Sequence, residues 1–254
     1  MLTKAVLGLP LSAKAGLFAA FVVGGVVKGV LGIGLPLVLV PLTAQFLDLP
    51  VAVALLSVPI VIANVPQALE GGQTRAALRR LAPILVTLVL GTLFGVHLLV
   101  SVNRRVLDIG VGVSFVLMAI LLLCLPRIRI GRAVEPWVSP LVGLMAGILG
   151  GVTAIFGPPL IAYQIGLGVN PGTFVKHMAI LAFTATMTLL LALGGSGALG
   201  GTDLLISAVA IIPIQIGMPL GRWLRGRVPP AVFRAAVLCA LAWAGLDMLG
   251  RGLF

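Results

Sequence analysis

The chain has 254 residues, 60% of them apolar and only 9% charged, with 17 Lys and Arg against 6 Asp and Glu. A soluble domain carries about 25% charged residues, so this composition excludes an ordinary water-soluble enzyme or binding module and points to an all-α polytopic membrane protein with the lipid bilayer as its surroundings. The net charge of +11 does not indicate nucleic acid, because the basic residues fall in short clusters between apolar runs, where they act as topology signals.

Crossing about 30 Å of hydrocarbon takes about 20 apolar residues in a helix. Eight apolar segments meet or exceed that length or come close to it, at about 15–47, 50–69, 81–99, 106–125, 137–167, 173–193, 203–221 and 231–249. They leave no room for a soluble domain. The run after Lys4 and Lys14 continues into glycines and prolines rather than a cleavage site, so it reads as mature sequence.

The first segment is too long for one helix and holds Gly29-Val30-Leu31-Gly32-Ile33-Gly34-Leu35-Pro36. Glycine loosens a helix and proline removes a backbone donor, so the segment is expected to break there. Backbone groups freed at membrane depth need protein or a watery cavity, which makes the break a candidate cavity wall. Lys28 stands just before it. A lysine inside an apolar span costs about 3 kcal/mol on insertion scales, and two readings compete: an anion ligand facing the cavity, or a chain snorkelling to an interface.

The second segment supplies Asn64 and Gln67 beside Pro59 and Pro66. Arg75, Arg79 and Arg80 precede the third, which holds Gly91-x-x-x-Gly95 and His97, and Arg127, Arg129 and Arg132 follow the fourth. The fifth is again too long and holds Gly147-Ile148-Leu149-Gly150-Gly151 and Phe156-Gly157-Pro158-Pro159, so a second break is expected. Thr153, Tyr163 and Gln164 lie around it. Lys176 and His177 open the sixth segment after Asn170-Pro171-Gly172 and read first as an interfacial anchor, second as site residues. Gln215 follows Pro213 in the seventh, where Gly217-x-x-x-Gly221 precedes Arg222, Arg225 and Arg227. Any one of the neutral side chains is by default an interhelical hydrogen bond, worth about 0.6 kcal/mol on average; together they suit an oxyanion.

The halves resemble each other. Gly91-x-x-x-Gly95-x-x-Leu98 returns as Gly217-x-x-x-Gly221-x-x-Leu224, and Gly25-x-x-x-Gly29-x-x-Gly32 returns as Gly143-x-x-x-Gly147-x-x-Gly150. The reading is a single membrane domain of two repeats, 1–126 and 137–254, each with a broken or re-entrant Gly/Pro-rich helix and about three transmembrane helices. The three arginine regions are expected at the cytoplasmic face. The stretch 194–203 has no basic residue although it occupies the repeat position of the Arg75 to Arg80 loop, so inverted repeats fit best. In that arrangement Arg104 and Arg105 fall outside, against the rule.

No carboxylate lies in mid-segment, which speaks against cation transport. His97 and His177 have no metal-ligand spacing and no nucleophile partner, so no catalytic residue is assigned. Cys124 and Cys239 lie far apart in apolar runs, and neither disulfide, metal nor cofactor is expected. If a proton is coupled, the two histidines are the candidates.

Gly25 to Pro41 (GVVKGVLGIGLPLVLVP) and Gly147 to Tyr163 (GILGGVTAIFGPPLIAY) resemble the duplicated glycine-proline motifs of the TauE/SafE sulfite exporter family, over essentially the whole chain. The resemblance implies a transporter of sulfite or organosulfonates in the cell membrane, with Gly32, Gly34, Pro36, Gly150, Gly151, Gly157 and Pro159 at the matching motif positions. Lys28 departs from the small or neutral residue expected there and leaves the substrate open within the family. The reading is a secondary transporter exporting a small anion by alternating access, the alternative being an ion-coupled uptake permease for an organic anion. Homo-oligomer formation is left open, because lipid-facing and partner-facing helix surfaces look alike when all are apolar.

Overall fold

The structure is a computed structural model and describes residues 2–31, 35–69, 74–124, 129–131, 133–224, 227 and 230–253. Every regular element among them is an α-helix: α1 Leu2–Leu7, α2 Leu11–Leu31, α3 Leu35–Thr43, α4 Leu49–Leu69, α5 Thr74–Ser101, α6 Arg104–Cys124, α7 Glu135–Thr153, α8 Gly157–Gly166, α9 Pro171–Gly195, α10 Gly201–Val209, α11 Ile211–Leu224 and α12 Pro230–Leu253. A helix satisfies its own backbone, which is the requirement for crossing lipid. Among the described residues, five stretches are long and apolar enough to cross: Leu11–Val30, Arg75–Ser101, Glu135–Thr153, Gly172–Gly195 and Gly201–Leu224. Their outer faces carry apolar side chains such as Leu90, Phe94, Leu191, Leu205 and Ile216, all exposed.

Both long segments divide into two helices. The first division lies between Leu31 and Leu35; Gly32 and Gly34 fall outside the described residues. At the second, α7 ends in a left-handed turn at Ala154 (φ 58°), whose N–H donates to the Gly150 carbonyl at 2.7 Å. The chain then re-enters helix at Gly157-Pro158-Pro159, where proline's missing N–H is tolerated. A third division, between α10 and α11 at Ala210, was not expected from the sequence. Pro213 accounts for it, because its ring clashes with the carbonyl four residues earlier, at Val209.

The paired helices fold back on themselves. The Leu39 side chain of α3 covers Gly24 of α2, and the Phe46 ring covers Gly16. The N–H of Ile130, ahead of α7, donates to Gly166 at the end of α8 at 2.7 Å. Helix–helix packing then exchanges partners between halves. Glycine removes the side chain that would hold two backbones apart, so Gly29 of α2 lies directly on Gly221 of α11, with Gly25 on the Ile214 backbone and Gly217 on that of Val22, while Gly147 and Gly151 of α7 lie on Gly91 and Gly95 of α5, with Gly143 on Ile84 and Thr87. Helix α4 packs on α9, and α6 on α12.

Two chemically distinct ends result. Arg80 pairs with Glu135 at 3.5 Å where α5 and α7 begin, and the Arg75, Arg79, Arg129, Arg222 and Arg227 positions belong to this end. Arg127, Arg132 and Arg225 lie outside the described residues. The opposite end gathers Asp48, Asp108, Asp203 and Asp247, tied respectively to Arg104, Arg104, Thr3 and Arg251.

Candidate functional site

A cavity of about 140 Å³ is lined from both helix divisions at once. Lys28, Leu35, Pro36 and Leu37 come from the first; Ala154, Ile155, Phe156, Gly157 and Leu160 come from the second. Helix α4 adds Ile60 and Asn64, and α9 adds a stripe from Phe174 through Met178 to Thr186. That stripe covers the first half of α9, so the cavity occupies the half of the molecule nearer the arginine-rich end.

Among the described residues Lys28 is the one cation on its wall, and it is only 5% exposed. It sits three residues before the end of α2, and the glycines on either side of the helix seam bring that end against α11. Among the described residues it makes no hydrogen bond and no ion pair. The side chain is therefore buried, without a partner among the described residues, and on the cavity wall.

The first turn of α8 also faces the cavity through Gly157 and Leu160. Phe156 at its cap supplies no side-chain hydrogen bond, so the uncapped amides of that turn keep the partial positive charge of a helix start. Pro158 and Pro159 contribute no N–H. The N–H of Ile155 is already taken by the Thr153 hydroxyl at 3.2 Å, and that hydroxyl in turn donates to the Leu149 carbonyl at 2.7 Å.

Of the residues singled out in the sequence, Lys28, Pro36, Asn64 and Gly157 line the cavity. Thr153, Gly150 and Gly151 shape it from behind: Thr153 braces the turn, Gly150 makes room for the Phe156 ring, and Gly151 packs on Thr92 and Gly95. Pro159 and Tyr163 are buried along α8. His177 is buried rather than anchored at an interface, because its Nδ1 meets Gln164 Oε1 of α8 at 3.0 Å, while Lys176 beside it is half-buried. The Gln164 Nε2 is buried with no hydrogen-bond partner among the described residues. Gln215 is exposed next to Ile212 and Ile216 on the outer face of α11, away from the cavity, and His97 is exposed on α5 with Ser101 at 3.4 Å. Gly32, Gly34 and the side chain of Gln67 lie outside the described residues.

Sequence reasoning missed Phe156, Phe174, Met178 and Thr186. Phe156 sits within the second glycine-proline motif and could have been taken with it. The α9 residues give no such signal, since an apolar stripe on an apolar helix reads the same whether it faces lipid or a cavity.

The family model described as "Sulfite exporter TauE/SafE" matches residues 17–248. No curated protein and no solved structure matches the chain.

Proposed function

Since the chain belongs to the sulfite exporter TauE/SafE family, a family of multi-pass membrane transporters, we propose that it is a secondary transporter that carries a small anion, sulfite or an organosulfonate, out of the cell by alternating access. The observation that carries this reading is Lys28, a buried lysine without a partner among the described residues, on the wall of a cavity shared by both helix divisions. An intramembrane cation is expensive unless its charge is used, and an anion in the cavity would complete it.

The repeats 1–126 and 137–254 are read as inverted. Support comes from the exchanged packing, in which α2 meets α11 as α7 meets α5, and from the self-related pairs α4 with α9 and α6 with α12. Each half then makes an odd number of passes, α2 to α6 and α7 to α12 with α10 and α11 counted as one. The short α3 and α8 are the re-entrant arms of their hairpins. The arginine-rich end is placed in the cytoplasm, so the cavity lies in the half of the molecule nearer the side from which export begins.

Direction follows from the membrane potential. With the cytoplasm negative, each exported negative charge gains about 2.3 kcal/mol per 100 mV, so export needs no coupled ion. The test is efflux of sulfite and of a small sulfonate from proteoliposomes under an imposed potential, wild type against Lys28→Ala. Efflux that follows the potential and is lost in the variant is the expected result. Accumulation driven only by an inward proton or sodium gradient would favour the uptake permease, and no movement of either anion would defeat the substrate class.

A further inference from the structure

We propose that a groove on the lipid-facing side of the acidic end binds an anionic phospholipid, with the lipid phosphate at Lys14 and an acyl chain in the trough below it. The groove holds about 300 Å³ and shares no residue with the cavity between the helix divisions. Leu17 and Phe21 of α2 and Leu55 of α4 form its floor, and all three are buried. Its rim is Phe18 of α2 with Val209 and Ile212, and all three are exposed on the face that a membrane-spanning chain turns to lipid.

The local sequence places charge and hydrocarbon in the order a phospholipid needs. Residues three and four apart share a helix face, so Lys14, Leu17 and Phe21 make one stripe along α2. The apolar span that includes them starts at Leu11, which puts Lys14 at headgroup level. Phe21 lies about 10 Å deeper at 1.5 Å per residue, within the acyl region. The opposite wall crosses the division of α10 from α11, with Val209 before it and Ile212 after it.

Lys14 is the one charged residue in the groove among the described residues. Its ammonium donates to the Leu7 carbonyl at 2.8 Å, and no carboxylate pairs with it among the described residues. An ammonium has three donors, so two remain for phosphate oxygens. A phosphatidylglycerol headgroup brings a net negative charge to that point. A phosphatidylcholine headgroup brings the same phosphate together with its own cation, so charge complementarity selects the anionic lipid. The exposed Lys4 of α1 belongs to the same end but does not line the groove, which makes it the control for charge alone.

The test reads the groove itself. In a full chain whose exposed Trp137, Trp223 and Trp243 are replaced by Phe, Phe18→Trp places a single indole on the rim. Quenching of its fluorescence by phospholipids brominated on the acyl chain, in vesicles mixing phosphatidylglycerol and phosphatidylcholine of equal chain length, gives the relative affinity of the two lipids there. Phosphatidylglycerol is expected to bind about fivefold more tightly, the size of one lysine's attraction to an anionic lipid. Lys14→Gln should bring the ratio to about one, and Lys4→Gln should leave it unchanged. A single indole at Leu90→Trp, on the exposed face of α5, should show no preference. Equal affinities at position 18 would overturn the inference, as would a preference that survives Lys14→Gln or appears equally at position 90. Absence of quenching by either lipid would also overturn it, because the groove would then be covered by protein. The chain with its own tryptophans gives a second readout: in native mass spectrometry it should retain phosphatidylglycerol over phosphatidylcholine, and Lys14→Gln should not. Equal retention of the two lipids by the unsubstituted chain would overturn the inference without the fluorescent variants.

Discussion

The Asp48 carboxylate lies 2.7 Å from the Arg104 guanidinium, which also stands 3.9 Å from Asp108. The triad lies at the acidic end, and Arg104 stays against the orientation rule, which counts basic residues and gives acidic ones little weight. Arg105 beside it is likewise occupied, its guanidinium donating to the Gly252 and Leu253 carbonyls at the end of α12.

Orientation can therefore be checked directly. In a chain with Cys124 and Cys239 replaced by alanine, Ser196→Cys lies in the turn after α9 at the acidic end, and Asn170→Cys lies before α9 at the arginine-rich end. A membrane-impermeant thiol reagent on intact cells is expected to label the first and to reach the second only after permeabilisation. The reverse pattern would invert the molecule and turn the cavity outward.

The glycine seams give a prediction about stability. A methyl group on Gly29 would stand 2.7 Å from the Gly221 Cα, and one on Gly95 would stand 2.9 Å from the Gly151 Cα, both against backbone that has nowhere to move. Gly29→Ala or Gly95→Ala should cost about 1–3 kcal/mol, the range for overpacking, and lower the melting temperature in detergent. Gly110→Ala in α6 meets nothing within 4 Å and should be neutral or gain up to about 1 kcal/mol from helix propensity. Equal melting temperatures for all three variants would mean that the seams are not close-packed.

Lys28 should separate stability from activity. Burying its charge without a partner costs about 3 kcal/mol by insertion scales, and Lys28→Met keeps the length of the side chain without the charge. The variant is expected to melt higher than wild type while losing anion transport. A lower melting temperature would show that the ammonium is held by the protein rather than kept for a ligand.

How much of this was legible in the sequence differs by feature. The breaks were, because glycine and proline at 32–36 and 150–159 carry their conformational consequences locally. The glycine repeats were legible as a repeat, but not as partners of one another: Gly91 and Gly95 find Gly147 and Gly151, and nothing in either motif alone names the other helix. Lys28 stood out because a charge in an apolar run is conspicuous. Gln215 was read with the others for the complementary reason, since a polar residue beside a proline reads the same on either face of its helix; in α11 it is exposed and does not line the cavity. Phe174 and Met178 were invisible because hydropathy does not distinguish lipid from cavity.

Ala154 combines site and strain. It is the one described non-glycine residue at positive φ, 58°, fully buried on the cavity wall at the turn joining α7 and α8. A left-handed alanine costs about 1–2 kcal/mol, and glycine would relieve that at the expense of greater freedom in the unfolded chain. Ala154→Gly should therefore stabilise by about 0.5–1 kcal/mol, seen as a modest rise in melting temperature. Ala154→Val adds branching where the backbone tolerates it least and should destabilise by more than the glycine variant gains. If transport falls in Ala154→Gly while stability rises, the strained turn holds Gly157 and Leu160 in place for the anion. If transport is unchanged, the turn serves only to end α7, and the positioning of the α8 amides rests instead on the brace that Thr153 makes to Ile155.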